Sequence, residues 1–172
     1  MVGFAKQITF ALIVVLIVVS CTEERQVRRA PTKAALIEYN KRLMSMDSLC
    51  ITQYSDTMGL NPTPSSSGLW LTLHDEGVGE PIKKGETVSL KYTISDLLGH
   101  QFYDSEYDGM KVFPAGRGHE VAGLDEAIVG MKRNARATLL LIPDKAYGLI
   151  GDEKRIGGRI ILRYDIEIVD VK

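Results

Sequence analysis

Residues 123–148 read GLDEAIVGMKRNARATLLLIPDKAYG, and the reading of this stretch decides the fold. Leu124, Ala127 and Ile128 recur at helical spacing, with Asp125 and Glu126 in the first turn, where acidic side chains suit the exposed amides of a helix start. Gly130 is the expected stop. From Ala135 to Ile142 the pattern changes to a near-continuous apolar run, which suits a strand covered on both faces, and Pro143 closes it. A helix this short is unstable alone, so it has to be pressed against a sheet. The loop Asp144 to Gly148 then presents Tyr147 at the sheet's edge.

Working outward, the flanking segments supply that sheet. Gly68 to Leu73 opens a strand carrying Trp70, and Gly77 to Gly79 breaks it. Val88, Leu90, Tyr92 and Ile94 alternate with Ser89, Lys91 and Thr93, a half-buried strand with Tyr92 on its inner face. Leu162, Tyr164, Ile166 and Ile168 repeat the pattern against Arg163, Asp165, Glu167 and Val169. Both strands aim an aromatic to the side of their aliphatics. The expected fold class is α+β: a curved antiparallel β-sheet wrapped around one short central helix, leaving a shallow apolar pocket between them.

Four segments divide the chain. Lys6 followed by the apolar run Ile8 to Val19 and by Ser20-Cys21 reads as a signal peptide over residues 1–20, too short for a comfortable membrane span. A small residue then cysteine resembles the bacterial lipoprotein signal, in which Cys21 is lipidated and becomes the first mature residue; Val18 stands where leucine is usual. The alternatives are a plain secretory signal or a retained anchor. Residues 21–32 are a polar tether, and its Glu23-Glu24 pair resembles surface-export signals of some Bacteroidetes lipoproteins. From Lys33 to about Met58, Leu36, Ile37, Leu43, Met44, Ile51, Tyr54 and Met58 fall at three- and four-residue spacings without Gly or Pro, so one bent helix or two short ones are expected. Thr32 or Asp47-Ser48 can cap them. This helical extension either packs on its own domain or forms a homodimer or partner surface. Asn61 to Gly68 is turn-rich and closes the segment 33–67, leaving 68–172 as the main domain.

Composition excludes several functions. The formal net charge is −1, with 21 Lys and Arg against 22 Asp and Glu, which speaks against nucleic acid as a partner. With Cys21 lipidated, Cys50 has no partner in the chain and reads as a small, partly buried hydrophobe. His74, His100 and His119 lie far apart in no metal-ligand pattern, and no phosphate-binding signature follows Gly116-Arg117-Gly118; neither metal nor cofactor is expected. Asp104 and Glu106 in a turn read as solvated, not as a catalytic carboxylate pair.

Pro143-Asp144-Lys145-Ala146-Tyr147-Gly148, behind a Gly-opened acidic helix and an apolar strand, resembles the closing signature of the FKBP-type peptidyl-prolyl isomerases. The resemblance covers roughly Gly68 to Lys172, and a lipoprotein form of the type linked to gliding motility in Bacteroidetes is similar in layout. It implies a catalyst that needs no nucleophile, metal or cofactor, acting on X-Pro bonds of unfolded or extended polypeptides in the cell envelope, held to a membrane by lipid on Cys21 and facing the periplasm. It also implies site residues. Tyr92 matches a tyrosine of the pocket floor; Tyr103-Asp104-Ser105 matches an aromatic-Asp-Ser motif, with Asp104 the buried carboxylate that orients Tyr92 or contacts the twisting carbonyl. Val121 fits the apolar residue before the helix, Leu124 the pocket base, and Tyr147 the loop tyrosine that bonds the ligand. Ile156 forms one wall and offers its backbone amide, and Tyr164 takes the place of a C-terminal phenylalanine. The departures are Leu124 for a tryptophan, Lys111 for a pocket phenylalanine, Glu120 for an apolar residue, and a charged rim at Asp152, Glu153, Lys154 and Arg155. The alternative reading is a protein of the same fold that binds extended segments without catalysis, as a chaperone or part of an envelope machine.

Overall fold

The computed structural model describes residues 30–172. The expected signal segment 1–20, Cys21 and most of the tether 21–32 lie outside the described residues. Among the described residues no helix is long and apolar enough to cross a membrane. Residues Ile37–Lys172 form a compact unit that carries the sheet.

One helix, α1 (Lys33–Met58), comes first. It is followed by β1 (Thr63–Pro64), β2 (Leu69–Asp75), β3 (Thr87–Asp96), β4 (Gln101–Asp104), the single turn α2 (Ser105–Asp108), β5 (Lys111–Pro114) and α3 (Ala122–Ile128). Then come β6 (Arg136–Leu141), a 3-10 turn at Pro143–Lys145 and β7 (Leu162–Val171). The strands form one seven-stranded antiparallel sheet in the order β1-β2-β6-β7-β3-β4, with β5 also paired to β3. With α3 against it, this is the expected α+β arrangement.

The stretch 123–148 folds as its pattern dictates. Leu124 and Ile128 are fully buried and Ala127 nearly so, packed with Leu139 and Leu141 of β6 and Leu69 of β2 in one core. The helix lies close enough to the sheet that a Cβ on Gly123 would sit 2.4 Å from Leu141 Cδ2, so any side chain there would force Leu141 to move. Asp125 differs from expectation. Its carboxylate accepts from the Gly116 and Gly118 amides at 2.8 and 2.7 Å, so it ties the preceding loop to α3 and leaves the helix's own amides alone.

The outer face of the sheet carries a second, smaller cluster: Ile51 of α1 with Leu140 and Ile142, flanked by Tyr54, Leu60, Trp70, Leu97 and Ile161. The buried face of α1 is Asp47, Ile51 and Ser55, four residues apart, so a single helical row docks. Of the apolar stripe read from the sequence, Ile37, Met44 and Met58 are exposed, and so is Cys50, which neighbours the docked row without belonging to it. The turn-rich stretch before Gly68 is more ordered than a linker: Thr63 and Pro64 pair with Leu71 and Trp70, and Glu126 accepts from Ser65, Ser67 and Lys145.

Truncating Ile51, the fully buried residue of this second cluster, to alanine should cost about 2–5 kcal/mol of unfolding free energy, the usual range for large-to-small changes at such sites. Urea unfolding measures this, and a loss below about 1 kcal/mol would show that α1 does not depend on this contact.

Candidate functional site

The inner row of β3 and β7 lays the floor of a concavity of about 510 Å³. Its lining combines Tyr92 and Ile94 of β3, Tyr103 of β4, Asp108 at the end of α2, Lys111 of β5, Tyr147, and Asp152, Lys154 and Arg155 of the loop before β7. Cross-strand pairing fixes who enters. Ile94 is opposite Tyr103 on one side and Tyr164 on the other, so these three side chains share the inner face. Leu124, Ile156 and Tyr164 lie fully or almost fully buried in the core behind the concavity, and Val121 packs against that core from its edge.

Register also moves one expected residue out. Asp104 is opposite Thr93, one residue off the inner row, so its side chain lies on the outer face away from Tyr92. Its carboxylate accepts from the Glu106 amide at 2.8 Å, capping α2, and from Thr93 Oγ1 at 3.3 Å. The carboxylates that do line the pocket are Asp108 and Asp152, and Asp108 accepts from the Asp104 amide at 3.0 Å. That backbone bond, with help from Arg155, holds the Asp108 carboxyl below the usual range despite some desolvation.

The rim charges form a network. Tyr103 donates to Asp152, and Asp152 Oδ1 also accepts from the amides of Lys154, Arg155 and Ile156 at 2.9, 3.0 and 2.8 Å. Ile156 is thus a wall residue whose N–H is already committed, and it does not offer that amide to a ligand. Arg155 lies over the Tyr103 ring at 4.6 Å, pairs with Asp108 and donates to the Phe102 carbonyl at 3.0 Å. Desolvation works against the Asp152 anion, but the four donors outweigh it and pull the carboxyl down to about 2. The Tyr103 phenol is pushed up to about 12, first by its bond to Asp152 and then by burial.

Two departures from the family pattern answer each other. Lys111 does line the pocket, and its ammonium pairs with Glu120 at 2.7 Å and stands 5.2 Å from the Tyr92 ring centre. Burial raises the Tyr92 phenol, Lys111 opposes this, and Asp108, Glu120 and Tyr147 add to it. Burial likewise pushes the Tyr164 phenol well above its ordinary value, and the neighbouring Tyr147 phenol adds to this. Its hydroxyl is buried with no partner in hydrogen-bond geometry, a polar atom set into an otherwise apolar floor. Tyr147 lines the same pocket, with its phenol beside that of Tyr164. Among the described residues the Val121 N–H, at the start of α3, also has no acceptor.

A second concavity of about 360 Å³ lies against β3, β7 and β6, lined by Lys91, Thr93, Arg136, Asp165 and Glu167. It meets Tyr92 but neither Tyr103 nor Tyr147, and is mostly a polar sheet surface whose residues face one another across strands, Lys91 opposite Glu167 and Thr93 opposite Asp165.

Sequence reasoning identified Tyr92, Tyr103 and Tyr147, which the pocket brings together, and Leu124, Ile156 and Tyr164, which stand behind it. It missed Ile94 and Asp108. Ile94 was legible, because it shares the alternation of Tyr92.

The pattern of the family described as FKBP-type peptidyl-prolyl cis-trans isomerase matches residues 79–169. The chain is 30% identical over 116 residues to FK506-binding protein 1A of Neurospora crassa, covering 63% of this chain and 92% of that protein. It is 34% identical over 92 residues to peptidyl-prolyl cis-trans isomerase FKBP9 of Rattus norvegicus, which is 52% of this chain but 16% of that protein. Among solved structures, AtFKBP13 superposes with a TM-score of 0.61 at 26% identity, covering 65% of this chain and 99% of that one. FkpA from Escherichia coli gives 0.63 at 24% identity, covering 81% and 66%, and shares the fold.

The signs of the two titrations set an acid test. The folded Asp152 carboxyl, at about 2, lies below its ordinary 3.8, so the loop's bonds contribute stability above pH 3.8 and lose it as pH falls toward 2. Asp152→Asn should flatten the part of the acid unfolding limb that falls in this window. An unchanged limb would show that this carboxylate does not hold the loop. Tyr103 has the opposite sign, its contribution persisting below pH 10.0 and fading as pH rises through about 12.

Proposed function

This chain belongs to the FKBP-type peptidyl-prolyl cis-trans isomerase family, and from that membership and its pocket we propose that it accelerates rotation about X-Pro bonds in extended or unfolded polypeptides. The convergence of Tyr92, Tyr103 and Tyr147 over a floor of buried apolar groups carries the reading.

Rotation requires loss of amide resonance, behind a barrier of roughly 18–20 kcal/mol, and no bond is broken. The site has only to prefer the twisted amide to either planar form. A planar amide is more dipolar than a twisted one, so moving it from water into a cup walled by aromatic rings costs the ground state more than the transition state. The Tyr147 hydroxyl and the Val121 N–H are the donors available to hold substrate carbonyls. Ile94, the Tyr92 ring and the Tyr103 ring receive the prolyl ring. Lys111 contributes its alkyl stem to the wall while Glu120 neutralises its ammonium. Asp104 serves through the cap of α2 and through its backbone N–H, which donates to the Asp108 carboxylate.

We place this activity in the cell envelope. Support comes from residues 1–21, where Lys6, the apolar run and Ser20-Cys21 match a lipoprotein signal, with Cys21 the lipid-bearing residue. The clients on this reading are proline-containing segments of proteins outside the inner membrane.

The test is cis-to-trans isomerisation of a proline tetrapeptide series with the full chain in mild detergent. Tyr147→Phe should lower kcat/KM about tenfold, the worth of one good hydrogen bond near 1.4 kcal/mol, with the thermal midpoint unchanged. Tyr92→Ala should lower it further. Background rates from folded wild-type protein would sink the isomerase reading and favour a binding module that engages the same segments without catalysis.

A further inference from the structure

We propose that α1 supports the isomerase site, and that Asp47 is a positioning residue which, through Arg159, holds the loop bearing Tyr147. The inference rests on the reading of the pocket given above and adds to it an element outside the family-matched residues 79–169.

The contact is direct. Asp47, in the docked row of α1, accepts from Arg159 at 2.6 Å, and its side chain is only 11% exposed. Arg159 ends the loop that starts at Tyr147. Its own N–H donates to the Gly148 carbonyl at 2.8 Å, closing that loop one residue from Tyr147. Its backbone sits at φ +61°, a left-handed conformation that a residue with a side chain rarely adopts unless it is held.

Between these ends the loop has no slack. A Cβ on Gly151 would lie 2.1 Å from the Ile156 carbonyl oxygen, and one on Gly158 the same distance from that of Leu149. Gly151 N–H donates to the Tyr147 carbonyl at 3.1 Å, and Asp152 N–H to that of Ile156 at 3.1 Å. Two backbone strands this close move together, so a shift at Arg159 passes to Gly148 and Tyr147 on one side and to Asp152 and Ile156 on the other. A small cavity of about 80 Å³ lies where α1 meets the loop, lined by Leu43, Met44, Asp47, Asp144, Leu149 and Arg159. It is too little space to seat a substrate, and it leaves the ion pair as the polar tie there.

A second tie between α1 and the sheet provides the control. Tyr54 accepts from Arg163 of β7 at 2.8 Å, on the outer face and away from the loop. Losing it loosens α1 without touching Arg159.

The experiment compares Asp47→Ala, Asp47→Asn and Tyr54→Phe in the full chain, alone and in the Tyr147→Phe background. Proline tetrapeptide isomerisation and the amide NMR resonance of Gly148 are both followed, well below each thermal midpoint. Asp47→Ala should lower kcat about three- to tenfold with little change in KM, shift the Gly148 resonance, and add almost nothing once Tyr147 is Phe, because both act through one hydroxyl. Asp47→Asn, which keeps the shape and an acceptor, should recover part of the rate; it also serves if the alanine variant does not fold. Tyr54→Phe should leave rate and resonance unchanged. Equal losses in Asp47→Ala and Tyr54→Phe, or full additivity with Tyr147→Phe, would reduce Asp47 to a structural contact and overturn the proposal. An inactive wild-type chain would instead sink the isomerase reading, and this proposal with it.

Discussion

The pairing of β3 with β7 over nearly their whole length is the constraint on which the rest depends. It sets Tyr92 opposite Ile166 and Ile94 opposite Tyr164, so one face of two neighbouring strands becomes a row of aromatic and branched side chains. A slip of β3 by one residue would send Tyr92 and Ile94 to solvent and bring Lys91 and Thr93 into the core, away from their partners on β7. Burying polar groups without partners costs roughly 1–3 kcal/mol for each neutral group and more for a charged one, which disfavours the alternative register. The β3 register then propagates to β4 and places Tyr103 inside and Asp104 outside.

The pocket built on that row is apolar beneath and charged above, and the two halves have different physical jobs. Leu124, Ile156 and Tyr164 exclude water from below. Above them most charges have an answer: Lys111 with Glu120, Arg155 with Asp108, and Asp152 with a phenol and backbone amides. Half-buried ion pairs of this kind contribute little net stability, because desolvation offsets most of the Coulomb gain. Their consequence is geometric. They hold the Tyr103 ring under Arg155 and the Tyr92 ring beside Lys111, where a more mobile wall would lose its shape.

How much of this could be read beforehand follows from the range of each interaction. The helix at Leu124 to Ile128, the apolar strand at Ala137 to Leu141 and the two alternating strands are written in local periodicity, and they appear as read. Ile94 and Tyr92 share one alternation, so the pocket floor was legible. Asp104 was misplaced because alternation along β4 has meaning only relative to β3, and a bend in register near Ile94 and Ser95 sets it. The amide of Ile156 is taken by a side chain four residues earlier, a local loop contact with no periodic signature. Asp47 and Arg159 are 112 residues apart, and nothing in either neighbourhood announces the other. The apolar residues of α1 were visible as a stripe, but which row docks depends on where Leu140 and Ile142 leave the outer face uncovered.

On the proposed function the protein is a catalyst that breaks no bond, and such a catalyst makes demands that these long-range contacts meet. Its rate depends on a difference in affinity between planar and twisted amides, and each ~1.4 kcal/mol of that difference is a factor of ten. A donor that wanders by an ångström gives much of it back, since hydrogen-bond strength falls steeply with distance and angle. Tyr147 lies on a loop, the part of a fold with the fewest packing constraints. Here the loop is closed on itself by Gly148 and Arg159, crossed internally at Gly151, and anchored by Asp152 to the Tyr103 wall. To these ties α1 adds one more, since Asp47 holds Arg159 at the far end of the loop. On the proposal above, the helix that looks peripheral in the sequence thus reinforces the restraints that the domain already places on the loop of Tyr147.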